Sequence, residues 1–175
     1  MKQAVFILLI FIVLQNSTAQ RYDNARNLNL SLGTVNSGFL IGAGYENFFG
    51  RANSLQLDID YSLKQLEVIN SDKKASISNI IMSASFRQYL DLGSVFPYIG
   101  VGFFGGNETL SRDNVKPTVV ITREDGFIYG VHPEVGMEIN LNFIYASVSF
   151  APRYDFRHDE FLSMLKITTK FYLKL

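Results

Sequence analysis

The chain has 175 residues, with 16 lysines and arginines balanced by 16 aspartates and glutamates and no cysteine. A zero formal net charge gives no pull toward nucleic acid or an acidic surface. The missing cysteines exclude disulfides, thiolate metal sites, a cysteine nucleophile and a lipid anchor at a cleavage site.

The first residues read as a leader. Lys2 gives a short positive start, Ala4 to Leu14 is an unbroken apolar run, and Gln15 to Ala19 is polar, with Ser17 and Ala19 as the small residues of a cleavage site. The pattern predicts a signal peptide over 1–19 and a single mature domain over 20–175 that starts at Gln20. A membrane anchor fits less well, because the apolar run reaches only about 16 Å as a helix against a hydrocarbon core of roughly 30 Å. No later segment approaches the ~20 apolar residues of a spanning helix. An exported chain of this kind that enters a membrane must do so as strands.

Eight strands follow. Arg26–Gly33 carries Leu28, Leu30 and Leu32 on one face. Ser37–Phe48 alternates Phe39, Ile41, Ala43 and Tyr45 with Leu40, Gly42, Gly44 and Glu46. In Ser54–Lys64, Leu55, Leu57, Ile59, Tyr61 and Leu63 oppose Gln56, Asp58, Asp60, Ser62 and Lys64. Nine residues tilted by ~40° at ~3.3 Å each span roughly 23 Å, close to the ~25 Å apolar band of a membrane barrel. Ser78–Leu90 sets Ile80, Met82, Ala84 and Phe86 against Ile81, Ser83, Ser85 and Arg87. Phe96–Phe104 sets Ile99, Val101 and Phe103 against Tyr98, Gly100 and Gly102. Gly126–Asn140 sets Phe127, Tyr129, Val131, Val135, Met137 and Ile139 against Gly130, His132, Glu134, Gly136 and Glu138, and Pro133 within it implies a bulge or a local break. Phe143–Tyr154 sets Ile144, Ala146, Val148 and Phe150 against Tyr145, Ser147, Ser149 and Arg153.

The last strand, Leu165–Leu175, alternates most cleanly. Leu165, Ile167, Thr169, Phe171, Leu173 and Leu175 face one way; Lys166, Thr168, Lys170, Tyr172 and Lys174 face the other. A terminal strand is an exposed edge unless something pairs with it, and pairing with the first strand closes a barrel. The apolar Phe171, Leu173 and Leu175 also resemble the C-terminal signal by which bacterial outer-membrane barrels are recognised. The connections around Gly50, Gly93 and Leu141 are short and the others mostly longer, the longest being Gly105–Asp125. Short periplasmic turns alternating with longer outside loops is the membrane-barrel pattern, to which the short connection around Val35 is an exception.

Alternation alone also fits a soluble barrel with its apolar face inward. Three features favour the apolar face outward. The polar faces carry both signs, with Asp58, Asp60, Glu134 and Glu138 against Arg87, Arg153, Lys166 and Lys170, so a narrow lumen could pair them. Gly42, Gly44, Gly100, Gly102 and Gly136 share those faces and relieve crowding in a lumen only wide enough for side chains. Tyr45, Phe48, Tyr61, Phe127, Phe143 and Tyr154 lie near strand ends, as an interfacial girdle would. The fold expected is all-β: an eight-stranded antiparallel up-and-down transmembrane barrel of the outer-membrane type.

No catalytic constellation stands out. His132 lies two residues from Glu134, so both would face the lumen, and they read as members of its polar network. One histidine falls short of the three or four converging ligands of a metal site. His158, in Asp155–Glu160 (DFRHDE), reads as part of a solvated outside loop. No serine elbow or phosphate-cradling glycine pattern occurs; Gly100, Gly102, Gly105 and Gly106 read as a strand and the turn after it.

The segment Glu124–Ile139 reads EDGFIYGVHPEVGMEI. It resembles the signature of the TraO proteins of Bacteroidetes conjugative transposons, in which an acidic residue precedes a Phe-Ile-Tyr-Gly run and a further strand carries a glutamate. Phe127–Gly130 and Glu138 match, and Gly105–Thr109 (GGNET) resembles the Gly-x-Glu element after the strand that opens the long loop. The resemblance implies a non-enzymatic outer-membrane component of a conjugative DNA-transfer apparatus of the type IV secretion kind. It implies no cofactor, no metal and no catalytic residue. The partners it implies are outer-membrane lipid and other apparatus proteins, without direct nucleic-acid binding, and it leaves the oligomeric state open. The alternative is a small outer-membrane surface barrel of the adhesion or protection type, acting through its outside loops.

Overall fold

The computed structural model describes residues 25–36, 38–50, 52–67, 74–111, 125–141 and 144–173. The expected leader, the start at Gln20, Phe143, Lys174 and Leu175 lie outside them. Strands β1 (Arg26–Val35), β2 (Gly38–Phe49), β3 (Asn53–Glu67), β4 (Lys74–Tyr89), β5 (Val95–Ser111), β6 (Gly126–Asn140), β7 (Ile144–Phe150), β8 (Arg153–Asp155), β9 (Glu160–Leu162) and β10 (Met164–Leu173) follow in order. All pairings are antiparallel, and most join chain neighbours; besides the closing pair, β7 pairs with β10 and β6 with β8. Closure is made by β1 and β10, from Arg26↔Leu173 to Val35↔Met164, and the β5–β6 pairing completes the circle.

The ten segments make eight barrel strands. Phe150 pairs with Leu165 and Arg153 with Leu162, which is one unbroken register. So β7 and β8 are one strand, and β9 and β10 another. The interruption has a chemical cause. On the β6 side, Val135↔Phe150 and Val131↔Tyr154 also share one register, which places Pro133 opposite Pro152. Neither proline has an N–H to give. The ladder therefore breaks there without a bulge, which answers the question Pro133 raised. Ser163, opposite Pro152, turns its backbone to the β1–β2 turn instead. Its N–H donates to Asn36 Oδ1 at 2.8 Å and its carbonyl accepts from the Asn36 N–H at 2.8 Å. Asn36 sits at φ 50 and Gly50 at φ 70, and these left-handed residues allow tight turns.

The wall is inside-out relative to a water-soluble protein. On β1, Asn27, Asn29 and Ser31 are buried, while Leu28, Leu30 and Leu32 are about half exposed, at 48%, 57% and 55%. The same parity holds on β3, where Gln56, Asp58, Asp60 and Ser62 are buried and Leu55, Leu57, Ile59 and Tyr61 exposed. A continuous belt of large apolar side chains far exceeds what a protein tolerates in water and matches a lipid-facing surface.

Two expectations need correction. Gly105 and Gly106 do not begin a loop: they pair with Met82 and Ile81, and β5 runs on to Ser111. Their lack of a side chain serves close packing, since a Cβ on Gly106 would collide with the Ile80 carbonyl. The rest of the expected long loop, 112–124, lies outside the described residues. Phe48 is not part of an outer girdle. It shares parity with Glu46 and points inward, 1% exposed.

Two outcomes test this architecture. Leu57→Arg should cost ~2–4 kcal/mol of stability in lipid vesicles, read by urea titration. In the same vesicles an aqueous thiol reagent should leave Leu57→Cys unmodified; rapid labelling there would reverse the assigned faces. Deleting residues 170–175 removes pairing partners of Arg26 to Asn29 and should leave a protease-sensitive chain. A truncated chain that still shifts its gel mobility on heating, as folded barrels do, would show that the sheet tolerates an open edge.

Candidate functional site

The barrel interior is built in layers, because every second residue of eight strands must project into it. Toward the end with the short turns, Phe48, Tyr89, Phe96, Tyr98 and Tyr145 pack around Ala25, with Tyr172 against them. Their rings meet at 5.3 Å (Phe48–Tyr89), 4.8 Å (Tyr89–Tyr98) and 6.4 Å (Phe96–Tyr145) between centroids. Toward the other end, Ile81, Phe104 and Ile128 form one apolar cluster and Leu40, Ala151 and Met164 another.

Between these apolar layers lies a network of charges. Lys170 reaches Glu46 at 2.6 Å and Glu138 at 2.5 Å, with its ammonium 5.5 Å from the Tyr89 ring centre. Glu46 also accepts from Ser54 Oγ at 2.6 Å and Tyr89 OH at 2.7 Å. Arg87 holds Glu134 in a two-bond fork, Nε to Oε2 at 2.8 Å and Nη2 to Oε1 at 2.7 Å. It also donates to Gln56 and lies over the Tyr98 ring. Arg153 donates to Asp60 at 2.6 Å, and Lys166 bridges Asp60 at 2.8 Å and Asp58 at 3.5 Å. Gln56 Nε2 closes the group on the Asp58 carboxylate at 2.7 Å.

All nine residues singled out from the sequence therefore lie inside the barrel: Asp58, Asp60, Arg87, His132, Glu134, Glu138, Arg153, Lys166 and Lys170 are each buried. His132 and Glu134 are not partnered with each other. Glu134 is taken by Arg87, while His132 Nε2 lies 3.0 Å from Ser85 Oγ. The glycines of the polar faces make room for this network, as a Cβ on Gly42 or Gly44 would strike the Asp60 or Asp58 carboxylate.

Three groups of interior residues fell outside that set: the aromatic plug, Glu46 with Gln56, and the outer rim. The first two were available from parity, since Glu46, Phe48, Tyr89, Phe96, Tyr98 and Tyr145 alternate with the lipid-facing positions; the rim was not. At the rim, His158 is not simply in solvent. Its ring is half-buried, with Nδ1 2.6 Å from the fully buried Asp155 carboxylate.

Most of the lumen's acids and bases are engaged with each other under apolar layers, with Arg153 and Lys170 1% and 0% exposed, while the Asn27 and Asn29 amides, His132 Nδ1 and Arg153 Nε and Nη1 have no hydrogen-bond partner among the described residues. A network of this kind fills space and fixes strand geometry.

Solved structures with this architecture are outer-membrane barrels. Ail, the attachment invasion locus protein of Yersinia pestis, aligns with a TM-score of 0.57 at 10% identity over 87% of this chain and 100% of its own. The N-terminal β-barrel domain of Pseudomonas aeruginosa OprF gives 0.54 at 13% identity, covering 86% and 100%. Neisserial surface protein A gives 0.53 at 11% identity, covering 86% and 96%. No family model matches the chain, and no curated protein matches it. At these identities the likeness shows the fold: a closed eight-stranded antiparallel barrel of the outer-membrane kind.

The lumen predicts an asymmetric mutational response. Arg87→Leu leaves Glu134 and Glu46 buried with less compensation and should cost about 3–5 kcal/mol in urea unfolding from vesicles. Adding Glu134→Leu should restore part of the loss, because an apolar pair of similar volume can replace a buried ion pair. Additive losses in the double variant would contradict the pairing.

Proposed function

We propose that the chain is a non-enzymatic outer-membrane barrel that acts by contact rather than by passage, as a component of a conjugative DNA-transfer apparatus. The observation that carries the first half is the lumen, crossed by the Arg87–Glu134, Arg153–Asp60 and Lys170–Glu46 pairs and closed by apolar layers. An eight-stranded barrel so filled admits neither DNA nor a folded protein. Contact must then be made by its outer hairpins, its inner turns or its lipid-facing wall, with lipid and other apparatus proteins.

The second half is supported by the resemblance at Phe127–Gly130 and Glu138. Two of those positions do specific structural work here. Gly130 lies where Tyr154 O approaches too closely for a Cβ, and Glu138 anchors Lys170. The test is a clean deletion in a strain carrying the element. Transfer frequency should collapse and return with the intact gene; undiminished transfer would defeat the conjugation role. In a planar bilayer the purified monomer should show no steady conductance, and a large one would defeat the contact mode instead.

A second reading, a surface barrel of the adhesion or protection type, has one observation in its favour. Strands β3 to β6 run past the level of the β1–β2 turn, so one arc of the wall stands proud on the outer side. Ail, named for attachment and invasion, has the same barrel. Loss of surface binding, with transfer intact, in the deletion strain would favour this reading.

A further inference from the structure

The β8–β9 hairpin gathers ligand-type side chains at the outer rim. Asp155 ends β8, Glu160 opens β9, and the two are paired across the hairpin. The turn between them, with Asp159 at φ 53, folds His158 back over the pair. One ligand atom each from Asp155, His158 and Glu160 lie within 4.8 Å of one another. Glu108, in β5 on the other side of β6, brings Oε1 to 3.9 Å from His158 Nε2.

Asp155 differs from the other buried carboxylates in what neutralises it. The lumenal carboxylates Glu46, Asp58, Asp60, Glu134 and Glu138 each meet a lysine or arginine. Asp155 is as deeply buried, at 0% exposure, yet no lysine or arginine side chain is paired with it among the described residues. Its contacts are the Arg157 N–H at 2.9 Å and the His158 ring. Lys64 meets the cluster at Glu160, 3.7 Å away, while the Arg157 guanidinium donates to the carbonyls of Asp125 and Phe127. A desolvated carboxylate calls for a compensating cation, which at Asp155 either a protonated His158 or a bound metal ion supplies.

We propose that this rim cluster binds a divalent transition-metal ion of the zinc class. His158 supplies the nitrogen ligand and Asp155 and Glu160 supply carboxylates, while Glu108 faces the other ring nitrogen, Nε2, and holds the imidazole from behind. Zinc takes nitrogen and oxygen ligands at ~2.0–2.2 Å in a tetrahedron. Ligand atoms at that radius are about 3.4 Å apart, so the cluster must contract slightly. The half-buried Glu160 and the turn residue His158 can make that adjustment by side-chain rotation. An imidazole among the ligands favours such an ion over calcium or magnesium, which take oxygen ligands. The proposal is independent of the conjugation reading.

The test uses untagged, folded protein in detergent, titrated calorimetrically with zinc sulfate. One zinc per chain should bind, and the thermal unfolding midpoint should rise with it. His158→Ala should weaken binding at least ~10-fold and remove the thermal shift. Asp155→Asn buries a new amide and can fail to fold, so Glu160→Gln at the rim is the companion variant, again with a loss of ~10-fold or more. Binding only at millimolar zinc, unchanged affinity in either variant, or calcium matching zinc would each overturn the site.

Discussion

A backbone in hydrocarbon has no water to satisfy its N–H and C=O groups, and the rest of this structure follows from that. Pairing β1 with β10 is the step that meets the condition, because it removes the only two free edges a meander of eight strands would leave. Once the register Leu30↔Thr169 and Ser31↔Thr168 is set, parity assigns every other residue to lipid or lumen. A slip of one residue would carry Lys166 and Lys170 into the hydrocarbon. The alternation in the last strand is therefore a condition on the whole circle.

Closure creates a second problem, a narrow interior that must be filled without stranding charges. The chain solves it by opposing signs across the lumen. Arg87 of β4 reaches Glu134 of β6, Arg153 of β8 reaches Asp60 of β3, and Lys170 of β10 reaches Glu46 of β2. The Arg153–Asp60 pair joins strands on opposite sides of the wall, and the other two each bridge over one intervening strand, so together they resist changes in barrel cross-section as well as filling it. A buried ion pair is weak evidence for net stability, since desolvation offsets much of its attraction. Its clearer consequence is specificity: any register that misaligns the strands would leave a buried charge alone. The aromatic and aliphatic layers above and below keep water out and so raise the cost of that error.

Much of this was legible in the sequence, for a simple reason. A membrane barrel writes both of its environments into one period of two, so Leu55–Leu63 and Gln56–Lys64 could be assigned to opposite faces without any tertiary knowledge. The pairing of particular charges was not legible, because it depends on which strands face each other across the lumen. Phe48 was misplaced when its type was weighed above its parity. The extent of β5 was misjudged because Gly105 and Gly106 read locally as a turn, whereas the β4 backbone beside them requires residues without a Cβ. The rim cluster was hidden for a similar reason: Asp155 and Glu160 look like a charged loop until a pairing across the hairpin brings them together.

The irregular features of the barrel are gathered in one sector. The facing prolines, Pro133 and Pro152, interrupt the β6 ladder, and Ser163 bonds to Asn36 beside them. On the outer surface of the same sector runs a chain of rings, Phe127, Tyr129, Phe156, Tyr154 and Phe161, with successive centroids 6.2, 5.8, 5.3 and 4.7 Å apart. A break in a lipid-facing ladder exposes backbone groups that hydrocarbon cannot satisfy. Broad rings beside it shield the wall, and the Tyr129 and Tyr154 hydroxyls suit the polar interface. Arg157 adds a lateral tie by donating to the carbonyls of Asp125 and Phe127. The β8–β9 hairpin is thus tied back to the β6 side beyond the interruption, by the Gly130↔Asp155 and Val131↔Tyr154 pairing and by Arg157. It also holds Asp155 and His158 at the rim, where lumen, lipid and solvent meet.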